Sequence, residues 1–222
     1  MFGIVKEATR MNIFVLNTGR CGSTTFIEAC KHIRNYSCAH ESRVSMLGQK
    51  RLDYPENHIE ADNRLSWLLG RLDKKYGDSA FYVHLKRSET DTARSFTKRY
   101  SGGIIKAYRA GILVGLSEQS DPMSVSLDYC DTINSNIDHF LKDKSRKITI
   151  NLENIEKGFI EFWKMIDAQG EIGTSLAEFK TKYNATNSPT QPQKRKRKSL
   201  LSKIIGKVRR LVIKFPKFVR NA

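Results

Sequence analysis

A short apolar run, Ile13-Phe14-Val15-Leu16, feeds directly into Asn17-Thr18-Gly19-Arg20-Cys21-Gly22-Ser23-Thr24-Thr25, and apolar residues then recur at helical spacing in Phe26, Ile27, Cys30 and Ile33. Few architectures accept that order. A continuous apolar run of this length fits a strand buried inside a parallel sheet, and the helix entered through a glycine turn places an anion-binding loop between the two. Gly19 and Gly22 let backbone N–H groups approach a ligand closely. Ser23, Thr24 and Thr25 add hydroxyl donors at a helix N-terminus, where unpaired N–H groups and the helix dipole favour phosphate or sulfate. The stretch reads as an anion cradle; a plain strand-turn-helix corner is the alternative.

A Walker A loop, G-x-x-x-x-G-K-[ST], would need glycine at Asn17 and lysine at Ser23. The one cation in the loop is instead Arg20. This arrangement of Arg, a small residue, Gly and a Ser/Thr run after the first strand resembles the 5′-phosphosulfate loop of sulfotransferases that use 3′-phosphoadenosine 5′-phosphosulfate (PAPS). The resemblance implies that Thr18, Gly19, Arg20, Cys21, Gly22, Ser23, Thr24 and Thr25 bind the donor nucleotide.

Farther along, Asn35 to Ser42 fits a second strand ending at the carboxyl edge of the sheet, where ligands of open parallel sheets gather. His40 and Glu41 would project there. Sulfotransferases often place a catalytic carboxylate in a His-Glu pair at this strand end, so the resemblance makes Glu41 the candidate general base, with His40 beside the acceptor. A solvated Glu41, or one paired with Arg43, is the plain alternative. Residues 47–60 read as a loop. Asp62 is a plausible N-cap for a helix packed through Leu65, Leu68, Leu69 and Leu72 and ending near Gly77, with Trp67 read as packing.

A buried-strand run, Phe81-Tyr82-Val83-His84-Leu85, then leads into Lys86-Arg87-Ser88-Glu89 and a helix containing Ser95. In the resembled family an Arg at this strand end and a Ser eight residues later grip the 3′-phosphate of PAPS, which implies that role for Arg87 and Ser95. A planar guanidinium offers phosphate two parallel hydrogen bonds, and a hydroxyl on the adjoining turn adds a third. His84, within the strand, reads as a structural histidine. Lys106 and Arg109, in a short helix and loop over 104–120, are candidates for an anionic acceptor, against the plainer reading of a solvated basic face. Asp121-Pro122 opens a further helix, Lys147 to Leu152 forms the next strand, Ile155 to Ile166 the helix after it, and Ser175 to Tyr183 a closing helix. Glu153 is assigned a structural role.

The expected fold is α/β: a P-loop-type three-layer α/β/α arrangement around a central, mainly parallel sheet, with a basic C-terminal amphipathic helix added. The α/β domain spans 11–183, after a flexible extension over 1–10. Residues 184–198 form a polar-to-basic linker and 199–222 a basic amphipathic tail. Between Phe159 and Asn187 there is no counterpart of the C-terminal Arg-Lys-Gly segment with which cytosolic small-molecule sulfotransferases close over the adenine, which turns the resemblance towards divergent bacterial and carbohydrate-type branches.

Charge is concentrated at the C-terminus. Residues 184–222 hold twelve of the 39 Lys and Arg and none of the 23 Asp and Glu, so they supply most of the formal +16. Leu200, Leu201, Ile204, Ile205, Val208, Leu211 and Val212 line one side of the expected helix, with cations largely opposite. An anionic membrane surface is the expected partner of 194–220, docking on the domain being the alternative. Aromatic side chains are sparse here and no nucleic-acid motif is apparent, so nucleic acid is not the expected partner. Cys21, Cys30, Cys38 and Cys130 lack paired metal-ligand spacing and no secretory h-region precedes them, which points to reduced thiols and a cytoplasmic setting, peripheral at the inner membrane surface.

The expected activity is therefore sulfuryl transfer from PAPS, as co-substrate and without a metal, to a hydroxyl or amine of an acceptor such as a glycan, lipid or small molecule. Glu41 and Arg20 would be the catalytic pair. A P-loop small-molecule or nucleotide kinase, and a non-catalytic basic protein associated with membrane or nucleic acid, are the alternatives. The acceptor and the oligomeric state leave no signature in the sequence.

Overall fold

A computed structural model describes residues 11–181. The extension, the linker and the basic tail lie outside the described residues. Five strands, β1 (Ile13–Leu16), β2 (Ser37–His40), β3 (His58–Ala61), β4 (Phe81–Lys86) and β5 (Lys147–Asn151), form one sheet in the order β2-β3-β1-β4-β5. Every pairing is parallel. The helices are α1 (Ser23–Cys30), α2 (Leu69–Tyr76), α3 (Glu89–Thr97), α4 (Gly103–Gly111), α5 (Pro122–Leu141), α6 (Ile155–Met165) and α7 (Ile172–Ala177).

Strand alternation divides the core in two. Ile13, Val15, Ile59, Ala61, Phe81, Val83 and Leu85 pack against α1 and α6 on one face, where Phe26, Phe159 and Phe162 meet at ring-centroid separations of 5.3–5.8 Å. Phe14, Leu16 and Tyr82 face the other way, against Leu72, Phe96, Tyr108 and the buried side of α5. The three-layer α/β/α expectation holds. β1 is buried along its whole length, which explains why its sequence is a continuous apolar run rather than an alternating one.

Three local expectations are corrected. Residues 47–60 are not a loop: Gly48–Leu52 form a short 3₁₀ helix, and His58–Ala61 are β3, next to the central strand. His58 and Glu60 masked it, because polar side chains at alternate positions look like loop composition until their partners are known. The helix expected from Asp62 is broken. Asp62 caps a 3₁₀ segment, Asn63–Trp67, by accepting from Arg64 N–H, and α2 starts only at Leu69. The closing helix also begins earlier than expected, at Ile172.

The sheet order places the crevice. The chain leaves β1 towards β2 on one side and returns through β3 before crossing to β4 and β5 on the other, so the carboxyl end of β1 is the topological switch point. α5 runs antiparallel to the strands. Tyr82 packs on Phe140, His84 bonds to Asp138 and Asn134, and the loop beyond β1 meets Tyr129. His84 is fully buried and bridges β4 to α5, as a structural histidine would.

Candidate active site

The loop at the end of β1 is held by its own side chains and by α5. Asn17 folds back, its Nδ2 donating to the Val15 carbonyl at 2.9 Å and its Oδ1 accepting from Gly19 N–H at 2.8 Å. The Tyr129 hydroxyl donates to the Thr18 carbonyl at 2.7 Å, and Ser66 Oγ to the Asn17 carbonyl at 3.2 Å. With its outward carbonyls engaged, the loop turns through three left-handed residues: Gly19 (φ 82°), Arg20 (φ 59°) and Gly22 (φ 87°). Gly22 stands at the N-cap of α1 and offers no side-chain cap, so the first N–H groups of the helix remain directed at the loop. Ser23, Thr24 and Thr25 form its first turn, half-buried.

Both glycines are favoured by their left-handed conformation, and a side chain at either would also displace a neighbour. A Cβ on Gly19 would lie 2.7 Å from Asn63 Nδ2, and one on Gly22 the same distance from Leu152 Cδ1. Arg20 is a non-glycine residue in a conformation that such residues rarely adopt, and strain of this kind gathers at functional sites. Cys21 is fully buried; desolvation pushes its thiol up to about 12, so at neutral pH it stays protonated and inert.

The structure brings the strand-end residues together. Arg20 Nε donates to Ser95 Oγ at 3.0 Å, and Arg87 Nη1 donates to the Arg20 carbonyl at 3.2 Å. The cradle after β1 and the Arg87/Ser95 pair after β4, 67–75 residues apart in sequence, therefore make one cationic site. A third guanidinium, Arg99, was not singled out in the sequence. It follows Ser95 by four residues, and Arg99 and Arg87 both act on Arg20 by like-charge repulsion. Burial and then this repulsion hold the Arg20 guanidinium below its ordinary value. Among the described residues no carboxylate pairs with any of the three. Guanidinium groups crowded without a counter-charge at a helix N-terminus form a site whose electrostatics an anion would complete.

The β2 end supplies the acidic side. His40 Nε2 shares a hydrogen bond with Ser23 Oγ at 3.0 Å, touching the first turn of α1. Glu41 follows in a left-handed conformation (φ 51°), its amide donating to the Ala61 carbonyl at 2.9 Å. Its carboxylate pairs with Arg64 at 2.9 Å rather than with Arg43. Beneath it lies Glu60, fully buried, accepting from Ser42 N–H and Ser42 Oγ at 2.7 Å each and facing His58 Nε2 at 3.1 Å. Asp62, also fully buried, holds Arg51 at 2.5 Å and the amide of Arg64 at 2.8 Å. A buried polar framework thus fixes the turn that carries Glu41.

Two expected substrate residues stand apart from this cluster. Lys106 is exposed on α4, and Arg109 is tied into the α3–α4 corner, its guanidinium 3.8 Å from the Tyr100 ring centre and Nη1 donating to the Tyr100 carbonyl. Neither bonds to the loop. Glu153 accepts from Ser88 N–H at 2.8 Å, at the start of α3, a structural contact.

No protein-family model matches the sequence, and no curated protein matches it significantly. Solved structures do match. A sulfotransferase domain from the curacin biosynthetic pathway superposes with a TM-score of 0.53 at 15% identity, covering 81% of each chain. Mouse sulfotransferase SULT7A1, solved in complex with PAP, superposes with a TM-score of 0.51 at 13% identity, covering 81% of this chain and 70% of the mouse one. The chain has the sulfotransferase fold.

Proposed function

We propose that the protein is a sulfotransferase moving a sulfuryl group from PAPS to an acceptor hydroxyl or amine, with a glycan as the first acceptor class to test. The observation that carries this reading is the junction of Arg20, Ser95 and Arg87 at the carboxyl end of β1, within a fold shared with sulfotransferases. On this reading the acceptor oxygen attacks sulfur in line. The bond from sulfur to the 5′-phosphate oxygen breaks, adenosine 3′,5′-bisphosphate leaves with the electron pair, and Glu41 takes the acceptor proton.

Arg20, the Ser23 and Thr24 hydroxyls and the first N–H groups of α1 would stabilise charge on the departing phosphate, without reorganising at the moment of reaction. Arg87 and Ser95 would bind the 3′-phosphate and fix the donor's position. Arg64 would orient the Glu41 carboxylate, and His40 would stand beside the acceptor, held by its hydrogen bond with Ser23. A magnesium-dependent kinase is less consistent with Ser23 standing where the Walker lysine would be.

Calorimetric titration with adenosine 3′,5′-bisphosphate, in the absence of magnesium and with ADP as control, tests the donor site. Tight binding of the bisphosphate, weak binding of ADP and a clear loss in Arg87→Ala are expected. Equal or absent binding of the two nucleotides would remove PAPS as donor. Glu41→Gln should lower turnover about 10²- to 10⁴-fold while leaving bisphosphate affinity unchanged; wild-type turnover would exclude Glu41 as the base.

A further inference from the structure

Seven large apolar side chains are exposed among the described residues, and all but Met165 lie in two short segments: Val44, Met46 and Leu47 after β2, and Ile112, Val114 and Leu116 after α4. Leu47 and Val114 are the extremes, at 87% and 83% exposed. Aliphatic groups gathered in this way mark an interaction surface rather than a random scatter.

Topology puts both segments at one edge and on one side of the sheet. β2 is parallel to its neighbours, so the chain leaving His40 emerges at the carboxyl edge, where Arg71 in the first turn of α2 holds the Gly48 carbonyl at 2.5 Å. α5 is antiparallel to the strands and reaches the cradle through Tyr129. Asp121 and the segment before it therefore overhang the cradle by about 12 Å, at 1.5 Å per helical residue. The Tyr108 hydroxyl, 2.5 Å from Asp128 Oδ2, ties α4 to α5 beside Tyr129. Leu52 and Tyr54, which follow the first segment, share a core cluster with Ile105, Tyr108 and Leu113 from the second.

Charge selects the occupant. Residues 42–52 and 92–117 contain no Asp or Glu. Arg51 and Arg94 within them are engaged by Asp62 and Asp91, but Lys50, Lys98 and Lys106 are exposed and have no carboxylate partner among the described residues. Exposed aliphatic tips on segments that carry exposed ammonium groups and no carboxylate match a bilayer surface, the tips entering the acyl boundary and the cations meeting anionic headgroups. No helix among the described residues is long and apolar enough to cross a membrane, and none is needed for this mode of contact.

We propose that this face docks on an anionic bilayer by inserting Leu47 and Val114, with the mouth of the cradle turned to the membrane. An acceptor presented at the lipid surface is the corollary, and it alone rests on the sulfuryl-transfer reading; insertion does not.

The test uses the full chain labelled with an environment-sensitive fluorophore at Leu47→Cys or Val114→Cys, with labelled wild type as the blank for the half-buried Cys38. Each is mixed with phosphatidylcholine vesicles containing or lacking phosphatidylserine, and bound protein is measured separately by sedimentation. On phosphatidylserine vesicles both labels should brighten several-fold and shift to the blue, while a label at Lys164→Cys, on α6, should not. Bound protein with unchanged labels at 47 and 114 would mean that some other segment makes the contact and would overturn the proposal, as would absent binding. Unlabelled Leu47→Ser/Val114→Ser should bind about tenfold more weakly in high salt, where electrostatic attraction is screened. If that variant instead converts a dimer to a monomer without changing vesicle binding, a second copy covers the face and the proposal fails.

Discussion

At the scale of single residues, the cradle depends on conformations and charges that would be costly without a ligand to justify them. Gly19→Ala forces a left-handed alanine against Asn63, so it should cost about 1–2 kcal/mol of stability. Thermal denaturation should show a midpoint roughly 2–8 °C lower; an unchanged midpoint would mean that the loop relaxes freely. Arg99 is different, because it is exposed and its removal leaves no buried group unpaired. Arg99→Ala should keep the melting temperature but weaken binding of adenosine 3′,5′-bisphosphate about tenfold, the scale of one charge-assisted hydrogen bond. Unaltered affinity would show that Arg99 only crowds the site. The two glycines and Arg20 were readable in sequence, since their types state their purpose. Arg99 was not, because a basic residue next to Lys98 past a helix end has no signal until its proximity to Arg20 is known.

At the scale of elements, β3 is the piece that pattern reading lost and that the carboxyl edge around Glu41 depends on most. Its Ile59 and Ala61 fill one core, while His58 and Glu60 point into a polar framework that clamps Ser42 and sets the left-handed turn at Glu41. Glu60→Gln keeps the volume but aims an amide N–H₂ where two acceptors are needed. It should cost about 1–3 kcal/mol and lower kcat while leaving bisphosphate affinity near wild type. A parallel loss of nucleotide affinity would mean that Glu60 acts on the whole sheet and has no selective part in placing Glu41. The 3₁₀ segment after β3 was missed for a related reason. Leu65, Leu68, Leu69 and Leu72 have helical spacing, yet Asp62 and Asn63 are occupied with Arg51, Arg64 and the cradle carbonyl, which holds the chain away from an α-helical start.

For the whole molecule, the described residues 11–181 pack a core cluster on each face of the sheet. Deleting 184–222 should therefore change the melting temperature by no more than about 2 °C, the shift that follows from a few tenths of a kcal/mol. The same deletion removes twelve cationic residues. Electrostatic attraction to anionic vesicles should fall with it, read as a weaker salt dependence of sedimentation with vesicles; full retention would put the attraction on the folded domain alone.

The sequence by itself determined the layered parallel architecture, the cradle and its glycines, the strand-end Arg87 and Ser95, and the concentration of charge at the C-terminus. Each is local: a run, a spacing or a residue type whose backbone or charge has few uses. Tertiary structure alone decided that β3 lies beside the central strand, that Arg20 and Ser95 are hydrogen-bonded across 75 positions, and that Glu41 pairs with Arg64 above a buried Glu60. Those are contacts between distant segments, and their energies come from burial and desolvation, quantities a linear chain does not carry until it is folded.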